Sequence, residues 1–412
     1  MDIPTAIREL KKLQENSMIL ECIKSASPDV EYLLDTLREA VFWNKVSNPI
    51  ETAVNAVIDI SWEECNIGHW SSVPETPKTV YAYASFQKVI ICLMKAANDV
   101  DNRSACLNEA IKAADLGLML GKGYQRQLTQ AASLVTSLIS QEYNVTPAPN
   151  ETSCSREPNE SEMNENVFTE KSNAVPIGRL RCPSLEEFNT KHFSSRTPVI
   201  LTGCINHWPA MTRWNDISYL LNTAGPRTVP IEIGSSYTQK DWGMELSSLQ
   251  DFINKYILQG QKKVGYLAQH QLFDQIPELR KDIVIPDYCC LTDTDESDCN
   301  VNINAWFGPA NTLTPLHHDP KHNLLCQVVG TKRILLFSPN DSEFLYPHEE
   351  TLLNNTAQVD PYHPDIEKFP KFEQAVVYYC NLRPGEMLYI PPKWWHHVVS
   401  LNVSFSVSFW WD

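Results

Sequence analysis

Two histidines and an aspartate are the side chains of this sequence whose types and spacing best suit shared chemistry. In Thr314-Pro315-Leu316-His317-His318-Asp319-Pro320, His317 and Asp319 stand two positions apart, and in extended chain residues i and i+2 point to the same side. Both can then reach one ion. Far along the chain, Gly385 to His396 reads as an apolar strand that turns at Pro391-Pro392 and delivers His396 into the start of another strand. Two imidazoles and one carboxylate on one face of a metal leave the opposite face open, the arrangement by which non-haem iron(II) centres admit a cosubstrate and dioxygen. Fe(II) is the ion this set fits best. His318 and His397 compete for the same roles, but strand alternation turns each away from its neighbour's face, where it would support the site from behind. An H-x-D motif alone is a weak signal, and its pairing with the Gly-x5-Pro-x4-His segment gives it weight.

These residues need strands to hold them, and the second half of the chain supplies strand-like runs. Short β-rich segments broken by Pro and Gly start at Pro198 to Gly203 and recur at Val301 to Phe307, Leu324 to Val329, Ile334 to Phe337, Met387 to Ile390 and Val403 to Trp411. Close spacing of this kind predicts a sandwich, jelly roll or barrel, with helical inserts such as one around Leu246 to Leu258. The first third has a different period. Val30, Leu33, Leu34, Leu37 and Val41 follow the i, i+3, i+4, i+7 rule, as do Leu107, Ala110, Ile111, Ala114 and Leu118, with Gly121 and Gly123 as a stop; Tyr124, Leu128, Ala131, Val135 and Leu138 form a third stripe. Residues 1–145 therefore read as a helical domain, either a plain packed bundle or one with a groove for a protein partner. Residues 146–174 are rich in Pro, Asn, Glu and Ser and read as a disordered linker. The β-rich domain then spans 175–412, so the whole is an α+β protein of two domains, as its 412 residues allow.

Composition narrows the setting. With 43% hydrophobic residues and no apolar run long enough to span a bilayer, no membrane segment is expected. A formal net charge of -16 argues against a direct grip on nucleic acid, which needs clustered Lys and Arg, and suits a cationic partner better. The N-terminus lacks the succession of a secretory signal, and the twelve cysteines contain no C-x-x-C pair, so buried thiols inside the cell are the expectation. The chain ends directly after its last strand, which favours a monomer.

The metal motif, together with Gly265-Tyr266-Leu267-Ala268-Gln269-His270, Asn304-Ala305-Trp306-Phe307-Gly308 and Ser404 to Trp411, resembles the Jumonji-C oxygenase family over roughly Val175 to Asp412. The resemblance implies a double-stranded β-helix, a cupin-like jelly roll, using Fe(II), 2-oxoglutarate as cosubstrate, and dioxygen (O2). A dicarboxylate cosubstrate needs a fixed cation for its far carboxylate. Lys332 shares a strand face with Ile334 and Leu336, and a lysine turned inward there demands a buried anion; by resemblance that anion is 2-oxoglutarate. Tyr266, Thr314 and Asn323 match the family's hydrogen-bonding positions for it. Each has a plain alternative as a polar residue at a strand end, and Lys332 has one as an edge lysine facing water.

Trp306 shares a face with Asn302 and Asn304, opposite Val301, Ile303, Ala305 and Phe307, so alternation puts it on the more polar, cavity-lining side. By resemblance to members that hydroxylate arginine side chains, Glu232, Tyr237 and Trp306 would bind substrate: a guanidinium wants a carboxylate for bidentate pairing and aromatic faces for stacking. Glu232 fits a solvated strand residue equally well. The expected reaction is arginyl C-3 hydroxylation in a protein or peptide. N-methyl-lysine demethylation uses the same iron chemistry, and the absence of a zinc-finger reader tilts the reading away from it. A methyl-arginine-directed peptidase and a non-catalytic cupin-like scaffold complete the alternatives. A nuclear location follows from the resemblance alone, with the cytoplasm as the alternative.

Overall fold

A computed structural model describes residues 1–14, 25–67, 73–143, 173–234, 242–260, 263–293, 300–350 and 353–412. The expected linker therefore lies outside the described residues except at Asn173 and Ala174, and Tyr237 lies outside them as well.

Among the described residues, the first part of the chain contains six helices of ten residues or more: α1 (Ile3–Lys12), α2 (Pro28–Phe42), α3 (Asn48–Cys65), α4 (Glu75–Asn98), α5 (Arg103–Leu120) and α6 (Gln125–Tyr143). Asp2 and Ser27 cap α1 and α2 by accepting from the backbone N–H groups of Thr5 and Val30. The apolar stripes face inward: Val30, Leu34, Leu37 and Val41 of α2, Leu107, Ala110, Ile111 and Ala114 of α5, and Leu128, Ala131, Val135 and Leu138 of α6 are buried in one core. At its centre lies α4, apolar on nearly every side and so without a stripe; Tyr83, Phe86, Val89, Ile90 and Leu93 are all buried. No helix among the described residues is long and apolar enough to cross a membrane. Cys92 and Cys326 are buried thiols, and burial pushes Cys92 up to about 12.

From Ala174 onward the chain builds two sheets. Six strands come first: β1 (Ala174–Pro176), β2 (Arg179–Arg181), β3 (Val199–Thr202), β4 (Thr228–Ile233), β5 (Gly243–Ser248) and β6 (Gly265–His270). Eight more, β7 (Asn302–Gly308), β8 (Leu313–His318), β9 (His322–Val329), β10 (Lys332–Phe337), β11 (Val377–Leu382), β12 (Glu386–Ile390), β13 (Trp395–Ser400) and β14 (Ser404–Trp411), divide between the sheets as a jelly roll, the expected double-stranded β-helix. The smaller sheet has the strand order β1-β11-β10-β13-β8, and the larger β2-β3-β12-β9-β14-β7-β6-β4-β5. Alternation sorts their side chains. Leu325, Ile334, Leu336, Leu388, Ile390 and Val398 meet between the sheets. Leu324, Cys326, Val407 and Phe409 face the other way, into a core closed by Phe188, Trp214, Phe252 and Phe273 from the helical inserts. Gly330, at φ +72° in the β9–β10 hairpin, approaches Val403 so closely that a Cβ there would stand 2.0 Å from its carbonyl oxygen, so only glycine fits.

One sequence expectation shifts. The insert around Leu246 to Leu258 is helical only from Leu249; Gly243–Ser248 is strand β5, paired with β4 (Thr228–Ile233). The side-chain oxygen of Ser248 accepts from Asp251 N–H and sets the helix start there.

The helical bundle is tied to the larger sheet by one buried carboxylate. Asp115 of α5 accepts from Arg227 Nε at 2.9 Å and Nη2 at 2.6 Å, from the backbone N–H of Thr228 at 2.7 Å, and from Gln275 Nε2 at 2.8 Å. Arg227 and Asp115 are both buried, so each charge depends on the other.

Candidate metal centre

His317 and His396 are directly opposite one another across the antiparallel pair β8–β13, which puts their side chains on one face. Their ring centroids are 4.1 Å apart. Asp319 follows β8, and its Oδ2 lies 3.9 Å from His317 Nε2 and 3.5 Å from His396 Nε2. The ligand atoms of the three residues all lie within 4.8 Å of one another. Two ligands on one ion with bonds of about 2.1 Å stand roughly 3 to 4.2 Å apart, so small rotations would bring all three onto one ion.

The backbone prepares each ligand. His317 Nδ1 donates to the Pro315 carbonyl at 2.8 Å and His396 Nδ1 to the Trp394 carbonyl at 3.1 Å, leaving each Nε2 with its lone pair toward the shared point. Burial, then the neighbouring His396, lowers His317 to about 4, so it is a neutral ligand at physiological pH. Burial alone would raise Asp319, but His396 and His317 beside it hold it below its ordinary value and ionised. Its Oδ2 is buried without a hydrogen-bond donor among the described residues, which is costly unless a cation satisfies it. Lys393, at φ +66° in the turn after Pro391-Pro392, donates its backbone N–H to the Asp319 carbonyl at 2.8 Å. That left-handed turn is where strain is spent on holding the site. His318 packs edge-on against Trp395 and His397 against Tyr362, both away from the shared point.

A cavity beside the three ligands brings together Tyr266, Trp306, Thr314, Asn323 and Lys332. Lys332 is buried and donates to the Tyr266 hydroxyl at 3.1 Å; burial lowers it from 10.5 to about 7, and no neighbouring carboxylate among the described residues raises it back. Burial raises the pKa of the Tyr266 hydroxyl, and Thr314 lines the same cavity beside it. Asn323 Oδ1 and Trp410 Nε1 are buried polar atoms without a hydrogen-bond partner among the described residues, on the walls of this cavity, carried by directly opposed residues of β9 and β14. A cationic amine, a phenol, a threonine hydroxyl, an amide and an indole N–H converging beside a metal-ligand set are the donor set a dicarboxylate needs. The residues present thus fit both an iron ion and 2-oxoglutarate.

Trp306 lines the same cavity, with its ring 6.1 Å from that of Tyr266, and donates Nε1 to Ser408 Oγ at 2.9 Å. Glu232 does not line it. It sits one strand outward, Cα-paired with Tyr266, half-buried, and accepting from Trp242 Nε1 at 3.3 Å. Burial raises its pKa. A larger cleft of about 560 Å³, bordered by Tyr362 and His397, opens on the outer face of the smaller sheet and touches none of the three metal-ligand candidates. Sequence reasoning missed Trp410 and Trp242. Alternation along β14, which sets Ser406, Ser408 and Trp410 apart from the buried Phe405, Val407, Phe409 and Trp411, could have found the first. Nothing in the pattern around Trp242 marks it.

Comparison with known proteins agrees with this geometry. Residues 185–412 match the family described as a cupin-like domain, and the chain belongs to that family in its Jumonji-C form, whose members depend on Fe(II) and 2-oxoglutarate. Within it, the chain is similar to lysine-specific demethylase 8 of Danio rerio, 42% identical over 86% of both chains, and to the protein of the same name from Xenopus tropicalis, 40% identical over 86% of this chain and 87% of that one. It is also 41% identical to Jumonji C domain-containing protein 5 of Drosophila melanogaster, over 87% of this chain and 86% of the other. Those spans exceed the β-domain alone, so the likeness extends into the helical bundle.

Proposed function

We propose that this oxygenase hydroxylates an arginine side chain of a protein substrate. The observation that carries the reading is Glu232: a half-buried carboxylate on the strand next to Tyr266, contacted by the neutral Trp242 N–H and raised in pKa by burial. A carboxylate so placed is completed by a cation with several N–H donors, and a guanidinium supplies two in a plane.

The chain's own residues divide the work. His317 and His396 offer Nε2 lone pairs and Asp319 a charged oxygen, which together would hold iron by one face. When bound, iron(II) with 2-oxoglutarate and dioxygen supplies the oxidation: the cosubstrate is decarboxylated to succinate and one oxygen atom enters a substrate C–H bond. Lys332 and Tyr266 would hold the far carboxylate of the cosubstrate, with Thr314, Asn323 and Trp410 orienting the rest. Glu232 pairs with the guanidinium and fixes it, and Trp306 walls the space beside the metal-ligand set, so a carbon of the arginine side chain is the one presented.

A second reading is favoured by the relatives' name, lysine-specific demethylase. A methylated ammonium beside Glu232 would present an N-methyl carbon to the same chemistry, and its hydroxylation releases formaldehyde. The test incubates the full chain with Fe(II), ascorbate, 2-oxoglutarate and paired peptides containing arginine or methyl-lysine, read by mass spectrometry. Gain of one oxygen on the arginine peptide supports hydroxylation; loss of methyl groups from the lysine peptide, with the arginine peptide unchanged, overturns it.

A further inference from the structure

Strand β5 ends the larger sheet, and the face it shares with the site is apolar and open. Met244 is Cα-paired with Glu232 and Leu246 with Pro230, so Met244 and Leu246 point the way Glu232 does. Trp242, two residues before Met244, shows the same orientation by donating its indole N–H to Glu232. These three alternate residues are 38% (Trp242), 61% (Met244) and 47% (Leu246) exposed. Glu245, between them, faces the other way and pairs with Lys255 at 3.5 Å. An exposed apolar stripe on an edge strand is a liability that proteins ordinarily blunt with charge, and one that adjoins a polar pocket marks an interaction surface.

The stripe is continuous with the candidate site. From β7 through β6 and β4 to β5, one sheet face carries Trp306, then Tyr266, then Glu232, then Met244. We infer that Trp242, Met244 and Leu246 form the docking surface for the polypeptide that carries the basic side chain to Glu232, and that this polypeptide is extended with apolar side chains two residues to either side of the basic one. The spacing follows from strand geometry. Side chains at i and i±2 of an extended peptide lie about 7 Å apart on one face, the same interval that separates Met244, beside Glu232, from Trp242 and Leu246. The cation is set by Glu232, and the flanks by a stripe without a charged side chain. The inference rests on the proposed function for its central residue and on β5 alone for its flanks.

Three fluorescein-labelled nonapeptides test it by anisotropy against the full chain loaded with Mn(II) and 2-oxoglutarate under anaerobic conditions. One has a central arginine with leucine at both i±2 positions, one the same arginine with serine there, and one the leucine flanks around a central norleucine. The leucine-flanked arginine peptide is expected to bind at least tenfold tighter than the serine-flanked one, and a Met244→Ser, Leu246→Ser double variant to bind the two alike, with its unfolding midpoint showing that it folds. The comparison on the unaltered chain stands even if that variant does not fold. Equal binding of the leucine- and serine-flanked peptides, a leucine preference that survives in the folded double variant, or no binding of any peptide each overturns the docking surface. Norleucine binding as tightly as arginine, with the leucine preference intact, leaves the docking surface standing and overturns the arginine reading.

Discussion

Raising the pH from 7 to 9 should weaken 2-oxoglutarate binding about fiftyfold, because one buried lysine must be charged to receive it. Burial lowers Lys332 from 10.5 to about 7, a displacement on the order of 5 kcal/mol at roughly 1.36 kcal/mol per pH unit. In the ligand-free protein about half of the molecules carry the ammonium at pH 7 and about one in a hundred at pH 9, and the apparent Kd rises in inverse proportion. The sign for stability is opposite. Between pH 7 and 10.5 the unfolded chain binds the proton and the folded one does not, so the stability of the ligand-free fold rises with pH across that window while affinity for the dicarboxylate falls. Isothermal titration of 2-oxoglutarate into the Mn(II)-loaded chain, without oxygen, measures the affinity. Repeating it at pH 8 in phosphate and in Tris counts protons, and close to one should be taken up on binding. Lys332→Met should bind about a hundredfold more weakly at pH 7, the upper range for a hydrogen bond to a charged group, with no dependence on pH. A flat affinity from pH 7 to 9 in the unaltered chain, or equal heats in the two buffers, would refute the argument.

Asp115→Ala should strip Arg227 of its partner in a buried setting and cost about 3 to 5 kcal/mol; thermal unfolding checks this, and an unchanged midpoint would mean that the bundle and the sheet hold together without it. Gly330→Ala meets both a left-handed φ and a clash with the Val403 carbonyl, so several kcal/mol of stability should be lost and 2-oxoglutarate bound more weakly through Lys332, two residues on; urea unfolding and the same titration read both. Because burial raises Glu232, affinity for an arginine peptide should drop as the pH falls through that raised value, and Glu232→Gln should bind weakly at every pH; a variant that keeps the acid-side loss would place the titrating group elsewhere.

The metal set was legible in the sequence because two independent regularities converge on it. Strand alternation puts His317 and Asp319 on one side, and the Pro391-Pro392 turn returns His396 to the same place. Lys332 was legible for a related reason: a lone cation in phase with Ile334 and Leu336 must enter the barrel. The helical stripes of α2, α5 and α6 were readable because each has a wet and a dry face, whereas α4 is buried nearly all round and offers no contrast. Contacts made by residues far apart in sequence left no local mark. Asp115 looks like any helical aspartate until Arg227 and Gln275 close around it, and the end of β5, from Leu246 to Ser248, was read into the helical insert that starts at Leu249.

The proposed chemistry requires one ion held by His317, Asp319 and His396, with its cosubstrate reaching Lys332. A crystal structure grown anaerobically with Fe(II) and 2-oxoglutarate, with diffraction recorded on both sides of the iron absorption edge, tests this most directly. It should show a single iron peak bonded to His317 Nε2, an Asp319 carboxylate oxygen and His396 Nε2, and the far carboxylate of 2-oxoglutarate beside Lys332 Nζ. Iron elsewhere, or a cosubstrate whose carboxylate lies away from Lys332, would contradict it.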